Sequence, residues 1–435
     1  MFKLEELEKK EYEQFVKNNK YKSHFLQSYA WGEFAKEKKK LIPFYLGLKQ
    51  DNKLVATALL LQKKLPLGYS YFYSPRGFVL NYEDETIFKE MTKQIISFCK
   101  SKKSIFIKID PDIIIRKYNY LDEEIKLDYD WNKIFKMITN SGFKHLGFTK
   151  NFETMQPRYT FRIDLKQDLD TIKEHFSKTT KQRINKAIKL GCETKIGTEK
   201  DLDEFCRLMM VTEERKDFVS YDSSYYKTLY KMYNKENKMT LFLGKIHIDK
   251  ILNELNKNKD EILESIKDLP KENLSKSAKN KLKEANRRLE SIENDIKKYT
   301  EVNEKYGKEL TLNAHMLIEY GDKAWVLYAG NENILTETYA NYYTYQTHLE
   351  YCKEQGYNIY DQFGTIGDLR KDNPRMGLHE FKKKFGGDYV EFIGEFDYIT
   401  NHLMYFVFTK LVPLYRKIIK NKSKKAITNE INGNK

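Results

Sequence analysis

One stretch of the chain decides how the rest is divided: residues 246–304 read IHIDKILNELNKNKDEILESIKDLPKENLSKSAKNKLKEANRRLESIENDIKKYTEVNE. Before Pro270, apolar residues recur at steps of three and four, with one polar interruption near Lys259. From Leu282 to Tyr299 the steps are 3-4-3-4-3, and charged residues fill most other positions. Two narrow apolar seams joined by a proline-bearing turn are typical of an antiparallel two-helix coiled coil. The sequence therefore predicts a helical arm over residues 246–305.

Outward from this arm, short apolar runs alternate with helical patterns. The runs predict strands at 43–48, 55–61, 69–73, 104–109, 159–164, 240–243, 314–319 and 324–329. The helical patterns cover 85–100, 131–141, 169–188, 201–215 and 336–355. This alternation of strands and helices indicates an α/β fold, with the arm inserted between two strands of the globular body.

The charge of the chain raises the question of its partners. It carries 78 Lys+Arg against 63 Asp+Glu, a formal net charge of +15, which attracts polyanions such as nucleic acid, phosphorylated substrates or anionic lipid. Genome-wide lysine bias is an alternative explanation of the same number. The charge alone does not decide between them.

Cysteine usage and hydropathy point to the cytoplasm. The four cysteines are scattered without metal-ligand spacing, which predicts buried, reduced thiols. The N-terminus does not read as a signal peptide, and no stretch reaches the roughly 18 apolar residues of a membrane-spanning helix. Residues 399–414 instead predict an amphipathic helix. The basic tail after it (Arg416, Lys417, Lys420, Lys422, Lys424, Lys425) is either a solvated end or a peripheral contact with anionic lipid.

Common catalytic signatures are missing from the sequence. It contains no GxSxG, GxxxxGK[ST], HExxH or GxGxxG motif, and its eight histidines are dispersed. The pyrophosphate loop of acetyl-CoA-dependent acyltransferases, [QR]xxGx[GA], is also absent. An acyltransferase with this strand-helix rhythm would therefore use an acyl donor other than coenzyme A.

A set of turn motifs is more specific in combination than singly. They are His24–Ser28 with Trp31, Tyr73–Gly77, Ile109-Asp110-Pro111, Gly142–Phe148, Tyr159–Leu165, Asn185–Gly191, Tyr328-Ala329-Gly330 and Phe381–Gly387. In order and spacing, from about residue 20 to 415, they resemble the Fem family of non-ribosomal peptidyltransferases, which build peptidoglycan cross-bridges. The arm makes the chain most similar to the arm-bearing, glycine-adding members.

The resemblance implies a fold and a reaction. The fold is mixed α/β (α+β), with two acetyltransferase-like (GNAT-like) domains in tandem: residues 1–150, and 151–245 with 306–400. The arm at 246–305 interrupts the second, and a C-terminal helix and basic tail occupy 401–435. Family members move an amino acid from aminoacyl-tRNA to the side-chain amine of the third stem-peptide residue of lipid II or its nucleotide precursor, UDP-MurNAc-pentapeptide. No metal or organic cofactor is implied.

Two residues match the family's catalytic positions, and a third is an alternative to one of them. A lysine-like acceptor amine is neutral about 0.04% of the time at pH 7, roughly 4.6 kcal/mol uphill, so a carboxylate beside it can accept its proton. Asp110 matches the family's acceptor-binding carboxylate; a turn cap before Pro111 is its structural alternative. Lys382 matches a lysine near the reacting centre that can stabilise an oxyanion or the leaving oxygen, worth ~3–4 kcal/mol. If the alignment is shifted by one residue, Lys383 matches this family lysine in place of Lys382.

The phosphate-binding positions depart from the family pattern. The family lysine after the Trp31 position falls on an alanine, with Lys36 next to it, and a family arginine is Tyr221 here. Tyr225 and Tyr328 match acceptor-contacting tyrosines. Arg76 and Arg215 are candidates for the missing positive charge, or structural ion-pair residues.

Several questions stay open at this level. A catalytically degenerate tRNA- or lipid-precursor-binding protein on the same scaffold is the alternative function. Glycine is the expected amino acid, by resemblance only. The sequence does not identify how many residues are added, whether the acceptor is lysine or diaminopimelate, or whether the chain is a homodimer.

Overall fold

The computed structural model describes residues 1–18, 23–216, 221–269 and 275–412. Its strands are β1 (Phe2–Glu6), β2 (Ile42–Gln50), β3 (Lys53–Lys64), β4 (Ser70–Ser74), β5 (Ser104–Ile109), β6 (Ile114–Tyr118), β7 (Phe143–His145), β8 (Tyr159–Asp164), β9 (Glu193–Gly197), β10 (Met239–His247), β11 (Glu309–Tyr320), β12 (Lys323–Asn331), β13 (Ile359–Asp361), β14 (Asp388–Phe392) and β15 (Phe396–Ile399). Its α-helices are α1 (Lys9–Asn18), α2 (Tyr29–Lys39), α3 (Glu85–Ser101), α4 (Trp131–Asn140), α5 (Leu169–Glu174), α6 (Lys178–Lys189), α7 (Leu202–Lys216), α8 (Ser223–Asn234), α9 (Ile248–Lys267), α10 (Lys276–Tyr306), α11 (Ala340–Glu354), α12 (Met376–Lys383) and α13 (His402–Phe406).

The strands form two sheets with the same internal plan. The first has the order β1-β2-β3-β4-β5-β15-β7 and the second β6-β14-β8-β13-β12-β11-β10-β9. Each contains one parallel pair joined by a crossover helix: β4 and β5 through α3, and β12 and β13 through α11. Parallel strands bring their carboxyl ends to one edge, where α/β proteins place ligands. The predicted mixed α/β fold with two similar units is confirmed.

Two strands cross between the units. β6 lies between β5 and β7 in sequence but pairs with β14 in the second sheet, while β15 follows β14 in sequence and pairs with β5 and β7 in the first. Both strands are too short for their alternation to show in the sequence. The sheets thus interlock across the predicted domain boundaries at residues 150 and 400, and the boundaries themselves stay predictions.

The arm has the predicted helix pair. It leaves the second sheet at His247 and returns at Glu309, which are paired neighbours on β10 and β11. At its root, Ile248, Ile251 and Tyr299 are buried in a cluster with the globular body. Farther out, a Lys259–Glu293 ion pair of 2.8 Å links the two helices. The predicted turn at Pro270 lies outside the described residues.

Elsewhere the structure corrects the expected helix ends. The predicted helix at 169–188 is two helices: α5 ends at Glu174 with His175 as its C-cap, and Ser177 accepts a hydrogen bond from the Thr180 backbone N–H to begin α6. The predicted helix at 399–414 begins only at His402 and passes into a π-helical turn, Val407–Leu411. The four cysteines are free and buried, as expected. The basic tail residues Arg416, Lys417, Lys420, Lys422, Lys424 and Lys425 lie outside the described residues.

Candidate active site

Asp110 lies in the interior at the carboxyl end of β5. Its side chain is 2% exposed and accepts hydrogen bonds from the Tyr73 hydroxyl (2.9 Å) and the Arg76 backbone N–H (2.7 Å). Both partners belong to the neighbouring strand β4 and its turn, because β4 and β5 are parallel and end together. Burial raises the pKa of the Asp110 carboxyl to about 7, against the opposing charge of Arg76. A carboxylate of this pKa can accept a proton at neutral pH.

Lys382 is the buried lysine of the Phe381–Gly387 motif. It is 5% exposed, and its Nζ donates to the backbone carbonyls of Gln362 (2.7 Å), Gly364 (2.7 Å) and Phe363. All three ammonium donors are therefore used by the segment that follows β13. Burial lowers the pKa of Lys382 to about 7, although the Asp361 carboxylate acts in the opposite direction.

Lys383 points to the outside instead. Its Nζ pairs with Asp122 Oδ2 at 2.6 Å, and both side chains are solvent-accessible. The two adjacent lysines thus occupy different environments on α12, and only Lys382 lies in the interior.

One small interior cavity lies beside partners of both Asp110 and Lys382. The cavity, about 10 Å³, is lined by residues that include Arg76, Phe363 and Gly364, the direct partners of the two predicted catalytic groups. It is large enough for about one water molecule. Arg76 is itself buried: it donates to the Pro157 carbonyl (2.6 Å) and lies 4.3 Å from the Phe392 ring centroid.

A much larger cavity, about 930 Å³, opens in the second unit beside α12. Phe381, the neighbour of Lys382, forms part of its wall, together with Arg215 and Tyr328 from the predicted substrate-binding set. Its remaining walls come from the ends of α6 and α7, the segment after β12, and the start of α11. The volume lies within the range of small-molecule and cofactor sites.

The cavity has an excess of unpaired positive charge. Arg183, Arg215 and Arg375 line it, and none of them has a carboxylate partner among the described residues. Its two acidic residues are already neutralised: Glu332 pairs with Arg207 at 2.8 Å, and Glu337 pairs with Lys298. Helix α11 also begins at this cavity without a side-chain cap, with Tyr339 and Ala340 in the cavity wall.

The predicted tyrosines meet at one side of this cavity. The Tyr225 and Tyr328 hydroxyls are 3.1 Å apart, and the Tyr221 ring stacks on Tyr225 at 3.7 Å between centroids. Tyr225 also packs edge-on against Phe34 of α2, which brings the Lys36 helix near this group. Lys36 itself is largely exposed, and its closest carboxylate is Glu33 at 4.0 Å.

Sequence reasoning missed several cavity residues. Arg183 lies on α6 and contacts the rings of Tyr339 and Tyr342, with its guanidinium carbon 4.9 and 5.0 Å from their centroids. Asn313 on β11 is almost fully buried, and neither amide atom has a hydrogen-bond partner within the described ranges. A lone arginine and a mid-strand asparagine carry no local motif. The one available signal was the position of Asn313, a polar residue within the largely apolar sequence of β11.

One group of side chains has the geometry of a cation site, at the root of the arm. Ligand atoms of Glu193, His247 and Glu309 lie within 4.8 Å of one another. Lys195 pairs with both glutamates, at 2.7 and 3.5 Å, and Lys245 pairs with Glu309 at 2.5 Å. Lysines thus already balance these carboxylates, and the group is an ion-pair network.

Comparisons with known proteins support the family resemblance and the fold. The FemAB family matches residues 7–412. A lipid II:glycine glycyltransferase of Staphylococcus aureus strain MRSA252 is 30% identical over 419 residues, 94% of this chain and 95% of that protein. Its counterpart in strain MSSA476 is 29% identical over the same length. The crystal structure of FemX superposes with a TM-score of 0.76 at 26% identity, covering 93% of this chain and 99% of FemX.

The family match runs from α1 through both sheets to the C-terminal helical segment. The roles of individual site residues stay predictions. The chain belongs to the FemAB family, as its motifs predicted, and to the aminoacyltransferase class of enzymes that the resemblance implied.

Proposed function

We propose that this protein transfers an amino acid, glycine by similarity to its relatives, from aminoacyl-tRNA to the stem-peptide amine of lipid II or its nucleotide precursor. The observation that carries the proposal is the cationic cavity of about 930 Å³ beside α12. Three arginines without carboxylate partners in the described part of the chain and an uncapped helix start favour a ligand with several phosphates. Both substrates of this reaction carry phosphates.

The cavity also suits a nucleotide because of its aromatic walls. Tyr328, Tyr339 and Tyr342 line it, and aromatic rings provide stacking surfaces for bases regardless of sequence. The buried Asn313 supplies a free donor and acceptor for a polar group of the ligand. We assign the arginine-rich part to substrate phosphates and the α12 side, toward Lys382, to the reacting ester.

The chemistry follows from the two buried ionisable groups. The acceptor ammonium gives one proton to Asp110, whose pKa of about 7 suits it to that role. The neutral amine attacks the ester carbonyl, the C–N bond forms, and the C–O bond to the terminal ribose breaks. The second amine proton goes to the departing ribose oxygen. Lys382, when protonated, stabilises the tetrahedral oxyanion after exchanging one of its carbonyl partners for it.

The direct test is transfer of a labelled amino acid from charged tRNA to purified lipid II, with the adjacent lysines compared. We expect Lys382→Met to lower the transfer rate by about 10²–10³-fold, the usual effect of removing an oxyanion-stabilising donor. Lys383→Met is the matched control, because it removes only an exposed ion pair. Equal rates for the two variants would contradict the role of Lys382.

The identity of the amino acid needs a panel of charged tRNAs. Glycyl-, alanyl- and seryl-tRNA are offered to the same enzyme, and we expect glycine to be preferred. Absence of transfer from all three, with tRNA binding retained, would instead favour a degenerate binding protein on this scaffold. We place the reaction on the cytoplasmic side of the membrane, where charged tRNA is found.

A further inference from the structure

Three segments meet where β4 and β5 begin, at one end of the first sheet. They are the turn between β3 and β4, the turn between α3 and β5, and the C-terminal helical segment. The Ser70 backbone N–H donates to the Lys103 carbonyl (3.0 Å), and the Thr400 backbone N–H donates to the Ile105 carbonyl (3.1 Å). These bonds hold the segments together. We call residues 62–69, 100–104 and 400–412 the basal surface.

The basal surface exposes large apolar side chains. Leu67, at the tip of the β3–β4 turn, is 86% exposed, while Leu403 and Phe406, one helical turn apart, are 72% and 54% exposed. The helical segment is nevertheless anchored, because Phe408 on its inner side contacts the rings of Tyr71 and Phe106 at 5.5 and 5.9 Å. The exposed residues therefore belong to the outer face of a packed element. Large exposed apolar side chains grouped in this way mark interaction sites.

The charge of this surface has one sign. Its three segments contain six lysines and no aspartate or glutamate, in a chain where 63 of 435 residues are acidic. Lys63, Lys64, Lys103 and Lys410 have no ion-pair partner among the described residues. Beyond Val412, residues 413–435 add seven basic residues and one acidic residue. Much of the net positive charge of the chain thus lies in the basal-surface segments and in the sequence that follows residue 412.

We propose that the basal surface docks this protein on an anionic phospholipid bilayer. Exposed leucine and phenylalanine side chains can enter the boundary of the acyl chains, while surrounding lysines bind the headgroups. A symmetric dimer through the same surface is disfavoured, because it would set lysines against lysines. No helix in the described part of the chain is long and apolar enough to cross a bilayer, so the contact is peripheral. The proposal rests on the proposed function insofar as a lipid-linked acceptor lies in that bilayer.

Vesicle co-sedimentation of the full chain tests the proposal. We expect binding to vesicles with about 30% phosphatidylglycerol, little binding to pure phosphatidylcholine, and release by added salt. The triple variant Lys63→Gln, Lys64→Gln, Lys103→Gln is expected to lower the partition coefficient about a hundredfold, given the usual contribution of each lysine near an anionic surface. The matched control replaces three exposed arm lysines: Lys281→Gln, Lys283→Gln, Lys297→Gln. It should change binding less than threefold.

A second variant tests the apolar contribution separately. The triple variant Leu67→Ser, Leu403→Ser, Phe406→Ser is expected to weaken vesicle binding at least tenfold. Each substitution removes apolar area that the wild-type side chain would bury in the bilayer on binding. Ile196→Ser, an equally exposed apolar residue on the far edge strand β9, is its control. Equal losses in control and test variants, or equal binding to both vesicle types, would overturn the proposal. The proposal would also be overturned if the protein formed a dimer in solution and did not bind vesicles.

The outcome is separable from that of the proposed function. Transfer to the nucleotide-linked acceptor needs no membrane, so the basal-surface variants should keep that rate while losing rate on lipid II in vesicles. If the wild-type protein transfers no amino acid to either acceptor, the proposed function fails. The proposal of membrane docking would then still be decided by the vesicle-binding measurement alone.

Discussion

The ionisation of Asp110 gives a prediction that needs no substrate. The carboxyl is buried, and its pKa is about 7 in the folded protein against an ordinary value near 3.8. The folded state therefore holds a proton that the unfolded state has lost between these two values. The contribution of this group to the free energy of unfolding is therefore fully present below about pH 4. It falls by about 1.4 kcal/mol per pH unit as the pH rises to 7, a total loss of about 4 kcal/mol.

Asp110→Asn removes this titration while keeping an oxygen to accept from the Arg76 backbone. We expect the variant to match the wild type at pH 4–5 and to exceed its unfolding free energy by about 2–4 kcal/mol at pH 8. Urea titrations at both pH values measure the difference. At pH 8 the variant should still transfer more slowly, because the proton acceptor is gone.

The control is Asp122→Asn, which removes an exposed carboxylate from the pair with Lys383. Its effect on stability should stay below about 1 kcal/mol at either pH. A difference between Asp110→Asn and wild type that does not change with pH would refute the buried, titrating carboxyl. So would a variant that is less stable at pH 8 than at pH 5 relative to wild type.

Three further changes test other parts of the structure. Gly330→Ala would place its Cβ 2.8 Å from the backbone of α7, so we expect a loss of about 1–3 kcal/mol in urea unfolding, whereas Gly377→Ala, with open space around it, should cost nothing. Tyr225→Phe and Tyr328→Phe should each cost about 1 kcal/mol, and the double variant no more than either, because both remove one shared hydrogen bond. Replacing residues 256–296 with a short turn should leave the melting temperature within a few degrees, since the described residues of the arm that are buried against the body lie at its root. A large drop in melting temperature would contradict this. The same variant measures whether the arm binds tRNA.

Much of this fold could be predicted from periodicity and turn residues. The arm seams, the strand at 104–109 and the helices at 85–100 and 131–141 could be predicted from the spacing of their apolar residues. Strands β6, β13 and β15 were not, because three to five residues carry too little alternation. The motifs identified Asp110 and Lys382 as chemically notable. Their burial, and hence their pKa values, depended on the tertiary packing.

The two crossing strands connect the segments that carry these two groups. The chain leaves Asp110 at the end of β5, crosses to the second sheet and forms β6; after Lys382 it forms β14 there and returns to the first sheet as β15 beside β5. The two crossings run antiparallel, and the Ile393 backbone N–H donates to the Ile113 carbonyl at 2.8 Å. A one-residue slip between them would shift the segment after Asp110 by about 3 Å relative to the segment after Lys382. The exchange of strands between the sheets, which the sequence does not show, therefore fixes the register of the segments that follow these two residues.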